Sequence, residues 1–294
     1  MEFTLNNHYS WMTRKNRIVY KKSNKENLNF RLECQNAAKI IYEGYEHINL
    51  LLSGGLDSEV VLKSFTSMGY TPEVTIFKFE NNLNMHDTNY ALRACNQCGI
   101  IPSVKSINVK DFWNSDECLD YAKEFDCPSP QMILHMHMVN SIKGFPILGN
   151  GETCLERKYG EKEVYSVDKY SWADQVLFRF FDKENIKGVP CFHFYTPDIM
   201  LSGVQREVVY RWVETAKKNQ FINIKKFKYD FYKEHFDCEP RPKLTGFELL
   251  DQDDEILRKK LMEVLRFEDI EEWTEFSEYV KSLGGKLLRE ITYE

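Results

Sequence analysis

The spacing of apolar residues changes abruptly between residues 31 and 52. Over residues 31–43, Cys34, Ala37, Ala38 and Ile41 recur three and four apart, which predicts a helix with one apolar stripe, and Gly44 is placed to end it. Residues 47–52 form a largely apolar run of strand length that predicts a strand buried on both faces, followed at once by a glycine pair. Past Asp57, Val61, Phe65 and Met68 return to helical spacing, with Gly69 as a stop. The alternation then repeats. Residues 74–79 are rich in β-branched and aromatic types and predict a second strand. Residues 86–98 carry Ala91, Ala94, Cys95 and Cys98 along one side of a second helix, and residues 104–109 suit a third strand. Ser129-Pro130 has the chemistry of an N-cap with proline at the first helical position, opening a helix that bears Met132, Met136 and Val139. Residues 145–148 supply a fourth strand that runs into Gly149-Asn150-Gly151-Glu152.

Strands alternating with helices predict an α/β protein, a parallel sheet covered on both faces in the Rossmann-like manner. In such folds ligands sit beyond the carboxyl ends of the strands, where both glycine loops lie. After residue 165 the pattern becomes mostly helical. Trp172, Phe178, Phe180, Phe181, Phe192, Phe194 and Tyr195 read first as core packing and second as walls of an acceptor pocket, and the charged segments after Asp251 as a solvated surface. The expected division is a lead-in at 1–45, a nucleotide-binding domain at 46–165 and a helical completion at 166–294.

With 294 residues, 43% of them apolar, the chain can bury the core of one large domain. It carries 45 acidic against 39 basic residues, a net charge of −6, and no run of five Lys or Arg, which counts against a nucleic-acid partner. Met1 to Tyr20 contains no apolar signal region, and no stretch of roughly 18 apolar residues is present to span a bilayer. A soluble, cytoplasmic protein with no membrane partner is expected. Its eight cysteines then read as reduced thiols rather than a disulfide framework.

The candidate chemistry centres on Ser53-Gly54-Gly55-Leu56-Asp57-Ser58, between the first strand and its helix. Two residues without a β-carbon let the backbone turn sharply and bring its N–H groups close to a polyphosphate. Ser53 and Ser58 add hydroxyl donors, and the helix that follows points its positive end at the anion. Asp57 is a candidate magnesium ligand. The competing reading, an ordinary turn with Asp57 as N-cap, accounts for two glycines but not for the full string. No Gly-x-x-x-x-Gly-Lys-Ser/Thr loop, the kind that supports transfer of a terminal phosphate, occurs in the chain.

The six-residue string resembles the signature of the PP-loop, or N-type ATP pyrophosphatase, superfamily of the adenine nucleotide alpha hydrolase fold. That resemblance implies ATP with Mg2+, cleavage between the α and β phosphates, an adenylated intermediate and release of pyrophosphate. Two further segments are similar to the synthetase domain of asparagine synthetases. Gly149-Asn150-Gly151-Glu152 resembles the start of that family's second glycine loop, and Arg241-Pro242-Lys243-Leu244-Thr245-Gly246-Phe247 its Arg-x-Lys-x-x-x-Phe segment. The implied phosphate contacts are Ser53, Gly54, Gly55, Leu56, Asp57, Ser58, Gly149, Gly151 and Lys243, with Asp57 and Lys243 as catalytic residues and Asp57 and Glu152 on magnesium. Competing readings are a surface turn for Lys243 and a helix-terminal carboxylate for Glu152, while Asp87 is expected to cap the second helix.

Asn150 departs from that family, standing where amidotransferase-type members carry a glutamate that deprotonates ammonia, and an amide is no base. Met1-Glu2 likewise lacks the cysteine nucleophile of a glutaminase domain, and the chain has no room for one. The expected reactants are therefore a small-molecule carboxylate or carbonyl acceptor, together with ammonia or an amine, supplied free or by a separate protein. Nucleobase or tRNA modification, of the thiolase or 7-cyano-7-deazaguanine synthase kind, and a non-catalytic nucleotide-binding role stay open. The deazaguanine synthases hold zinc with four clustered cysteines near the C-terminus, whereas only Cys238 lies beyond Cys191 here. Cys95-x-x-Cys98 lies on a helix's apolar stripe and reads as packing rather than as a metal site. His135 and His137, two residues apart on a helix, point to different faces and make a poor ligand pair.

Overall fold

The computed structural model describes residues 4–8, 15–19, 28–125, 127–150, 154–157, 165–168, 172–204, 224–242 and 244–265. Near the N-terminus β1 (Thr4–His8) pairs antiparallel with β2 (Lys15–Val19), a hairpin with no counterpart in the sequence expectations. Next, α1 (Phe30–Gly44) starts where the Asn29 side chain accepts from the Leu32 N–H at 3.1 Å. Its predicted stripe of Cys34, Ala37, Ala38 and Ile41 is wholly buried.

Two strand–helix units follow, as the alternation predicts, β3 (Ile48–Leu51) with α2 (Leu56–Thr66) and β4 (Glu73–Phe79) with α3 (Met85–Gln97), and then β5 (Ser103–Ile107) runs into α4 (Val109–Trp113), a helix the spacing does not predict. Then α5 (Asp116–Phe125) and α6 (Pro130–Asn140) lead to β6 (Phe145–Leu148). Ser129 caps α6 by accepting from the Met132 N–H.

The four inner strands form one parallel sheet in the order β5-β4-β3-β6, so by appearance they stand third, second, first, fourth. That is the Rossmann-like order, and its reversal point lies between β3 and β6. Val189 extends the sheet beyond β6 through a single parallel bridge to Ile147. Farther along come the antiparallel pair β7 (Cys154–Arg157) and β8 (Tyr165–Asp168), then α7 (Trp172–Lys183), α8 (Pro197–Val204), α9 (Ile224–Phe236) and α10 (Asp251–Val264).

Each sheet face has its own core. Ile48, Leu50, Val74 and Ile76 pack with Phe30, α1, α2, α3 and residues of α9 on one side. Phe79, Ile107 and Leu148 pack with α4 to α7 and α10 on the other. Polar Asn49 is tolerated inside a strand because Thr75 Oγ1 donates to its side-chain oxygen at 2.9 Å. The aromatics Phe180, Phe181, Phe192 and Phe194 are buried, in line with the packing expectation.

Three local expectations are corrected. Met68 lies beyond the end of α2 and is 39% exposed, because the chain turns at Ser67 and passes through Gly69 at φ +80°. The third strand stops at Ile107, where Asn108 accepts from the Asp111 N–H and opens α4. Asp87 does not cap its helix: α3 begins at Met85, placing Asp87 in the first turn. Among the described residues no helix is long and apolar enough to cross a membrane.

Candidate active site

The glycine loop joins β3 to α2 at the carboxyl end of a central strand. Gly54 adopts φ +87°, and a β-carbon there would lie 1.9 Å from the Asp87 carbonyl oxygen, so the start of α3 presses directly on the turn. Within the loop the Gly55 N–H donates to Ser53 Oγ at 3.2 Å, and Ser58 Oγ donates to the Gly55 carbonyl at 2.9 Å, 3.1 Å from Ser53 Oγ. No side chain caps α2 at Gly55. The helix therefore keeps its positive end toward the space in front of the loop.

That space is a cavity of about 570 Å³. Ser53, Gly54, Gly55, Leu56, Asp57, Ser58, Gly149 and Asn150 all line it. Leu56 is 7% exposed and belongs to the core, which leaves its backbone to face a ligand. Gly149 has a packing reason of its own, since a β-carbon there would lie 2.6 Å from Ser58 Cα. Gly151, Glu152 and Lys243 lie outside the described residues, although Arg241, Pro242, Thr245 and Phe247 around Lys243 border the same cavity. Phe77, Phe79, Met132 and Met138 make its apolar walls.

Asp57 is gripped directly by α9. Lys228 Nζ donates to Asp57 Oδ2 at 2.8 Å and the Tyr232 hydroxyl to Oδ1 at 2.7 Å. His193 Nε2 stands 3.3 Å from the Asp57 main-chain carbonyl, its ring stacked on Tyr232. Burial pushes the Asp57 carboxyl up, but Lys228 beside it, with His193 and Tyr232, outweighs this and holds it below the ordinary value of 3.8. Lys228 and Tyr232 escaped the sequence reading. They lie four apart and so share a helix face, but nothing local marks them as partners of a residue far upstream.

Beneath the loop is a second charged group that the sequence did not reveal. Arg241 pairs with Glu59, their side chains 5% and 4% exposed, and Lys63 Nζ reaches Glu59 Oε1 at 2.7 Å. Burial raises the Glu59 carboxyl, and the bond from Lys63 with the charge of Arg241 more than offsets it, so the group stays below 4.5. Arg241 also lies 4.7 Å from the Tyr90 ring centroid, while its Nε and Nη2 find no acceptor among the described residues. This pair ties Arg241, beyond the end of α9, to the helix behind the glycine loop.

Among the described residues no group of three or more His, Cys, Asp or Glu side chains is placed to hold a metal. Magnesium commonly uses one or two carboxylates together with substrate phosphates, and Asp57 and Asp87 both border the cavity. Cys95 is fully buried and its thiol is pushed up to about 12 by burial, which suits packing and not ligation. His137 pairs with Glu117 at 2.9 Å, whereas His135 lines the cavity, so the two histidines diverge as their spacing implies.

No known family matches the sequence, and no curated protein does. Among solved structures the chain is similar to the NMN synthetase of Francisella tularensis, at 19% identity and a TM-score of 0.30. The likeness covers 40% of this chain and 52% of that one, so this chain spans about half of that protein, and it carries no argument about activity.

Proposed function

We propose that this chain is an ATP-dependent ligase of the PP-loop kind, which adenylates a substrate carboxylate and passes the acyl group to ammonia or an amine. The observation that carries this reading is the position of the glycine loop: at the carboxyl end of β3, before an uncapped helix, facing a cavity edged by Asp57, Lys228 and Arg241. In the first step a carboxylate oxygen of the acceptor attacks the α-phosphorus of ATP, the bond to the bridging oxygen of the β-phosphate breaks, and pyrophosphate leaves. In the second the nitrogen lone pair attacks the acyl carbon, AMP departs with the bond electrons, and the nitrogen gives up a proton.

In this scheme the loop amides, Ser53, Ser58 and the start of α2 bind the β and γ phosphates, and Lys243 steadies the departing pyrophosphate. Magnesium, when bound, would neutralise phosphate charge, with Asp57 of the loop as one protein ligand and Glu152 as a second. Positioning and charge neutralisation supply the catalysis. Asn150 borders the cavity but offers no base, so the nitrogen nucleophile arrives already neutral or loses its proton to another group.

The test is a screen of carboxylic acids, with ammonia or amines present, for acceptor-dependent conversion of ATP to AMP and pyrophosphate. Asp57→Ala and Lys243→Ala are each expected to remove most of that turnover. Unchanged release in both variants, or a product of ADP and orthophosphate, would refute the proposal.

A further inference from the structure

Two ion pairs meet at the loop, and they are built differently. Arg241 and Glu59 are buried, at 5% and 4% side-chain exposure, and of the two Arg241 alone borders the cavity, whereas Lys228 and Asp57 are 21% and 32% exposed and both border it. A sealed pair is costly to part, whereas a half-buried pair that faces a cavity can exchange partners with a charged ligand entering that cavity. Resting on the ligase reading of the same site, we propose that Lys228 is an exchangeable counter-ion: it holds Asp57 while the cavity is empty, and a triphosphate draws it away, releasing Asp57 to the accompanying magnesium.

Lys228 carries a compact charge on a flexible four-carbon stem, which can turn from a carboxylate to a phosphate without moving α9. While its ammonium lies 2.8 Å from Asp57 Oδ2, a dication at that carboxylate meets a like charge. Tyr232 is 5% exposed and donates to the other oxygen at 2.7 Å, so it keeps the carboxylate aimed when Lys228 leaves. The same lysine shields an incoming phosphate from the negative charge of Asp57 in the first turn of α2. Metal affinity is thereby made conditional on nucleotide.

The probe is Mn2+, titrated into the nucleotide-free protein with the free ion read by electron paramagnetic resonance. The wild-type chain is expected to show no Mn2+ binding that Asp57→Asn removes. Lys228→Met is expected to gain at least about tenfold in Mn2+ affinity, and to lose the gain when combined with Asp57→Asn. Lys228→Arg, which keeps the charge, should behave as the wild type. Affinity for a non-hydrolysable ATP analogue should fall by about tenfold in Lys228→Met.

Mn2+ binding at Asp57 in the nucleotide-free wild type overturns the exchange, and that arm needs no Lys228 variant to fold. Analogue binding without the Mn2+ gain removes the exchange alone. Failure of the analogue to bind any form, alongside the gain, removes the ligase reading and the exchange with it.

Discussion

Gly54 and Asp87 are packed so closely that no side chain fits between them: a β-carbon on Gly54 would stand 1.9 Å from the Asp87 carbonyl oxygen. The obstacle is backbone at the start of α3, which cannot swing aside as a side chain would. Gly69 offers a built-in comparison, since it shares the left-handed conformation, at φ +80°, yet has open space around it. Gly69→Ala should therefore cost only the strain of the backbone, about 1 kcal/mol. Gly54→Ala adds a steric clash and should cost at least about 2 kcal/mol more. Urea unfolding of both variants checks this, and equal losses would show that the contact with Asp87 carries no weight.

Glu59→Gln should be among the most damaging polar substitutions in the chain. It strips Arg241 of its partner in a site where both side chains are about 5% exposed or less, a loss of about 3 kcal/mol. The pH dependence has a definite sign. The folded carboxyl titrates below 4.5, so on acidification the unfolded chain takes up its proton first. The contribution of Glu59 is whole above about pH 4.5 and is lost as pH falls through the lower folded value. The stability gap between wild type and Glu59→Gln, read by chemical denaturation, should be constant near neutrality and shrink in acid. A gap that widens in acid would contradict the ion pair.

The cysteines should behave as packing thiols. Cys95 and Cys118 are fully buried and pushed up to about 12, whereas Cys98 is partly exposed. A thiol reagent at pH 8, with mass-spectrometric mapping, should label Cys98 in the folded protein well before Cys95 or Cys118. Rapid labelling of Cys95 together with Cys98 would mean that the Cys-x-x-Cys pair is an open, reactive site.

Strand and helix order was legible because burial on both sheet faces imposes a pattern that neighbouring residues share. Leu50, Ile76 and Ile147 sit in apolar runs, and Ala37, Ala38 and Ile41 in a stripe, so local spacing was enough. The glycine loop was legible for a similar reason: its six residues are contiguous and their requirements are local. The short helix α4 was missed because Asn108 ends a strand and caps a helix at once, with no glycine or proline to mark the change, whereas α5 carries a helical stripe of Cys118, Tyr121, Ala122 and Phe125 that local spacing could have revealed. Nor could spacing reveal Lys228 beside Asp57, or Arg241 beneath it with Glu59. Those pairs join residues more than 150 positions apart, and each depends on how α9 and the segment after it return to the sheet.

In the proposed reaction the turn after β3 grips the phosphate tail of a nucleotide. The most direct test of that grip is a titration of ATP into protein labelled with 15N-glycine, followed by the amide resonances of the 14 glycines. The Gly54 and Gly55 signals should move together and saturate, while Gly69 and Gly99, at the far ends of α2 and α3, stay in place. Gly54 and Gly55 remaining still at ATP concentrations that saturate any other signal would show that the turn does not hold the nucleotide.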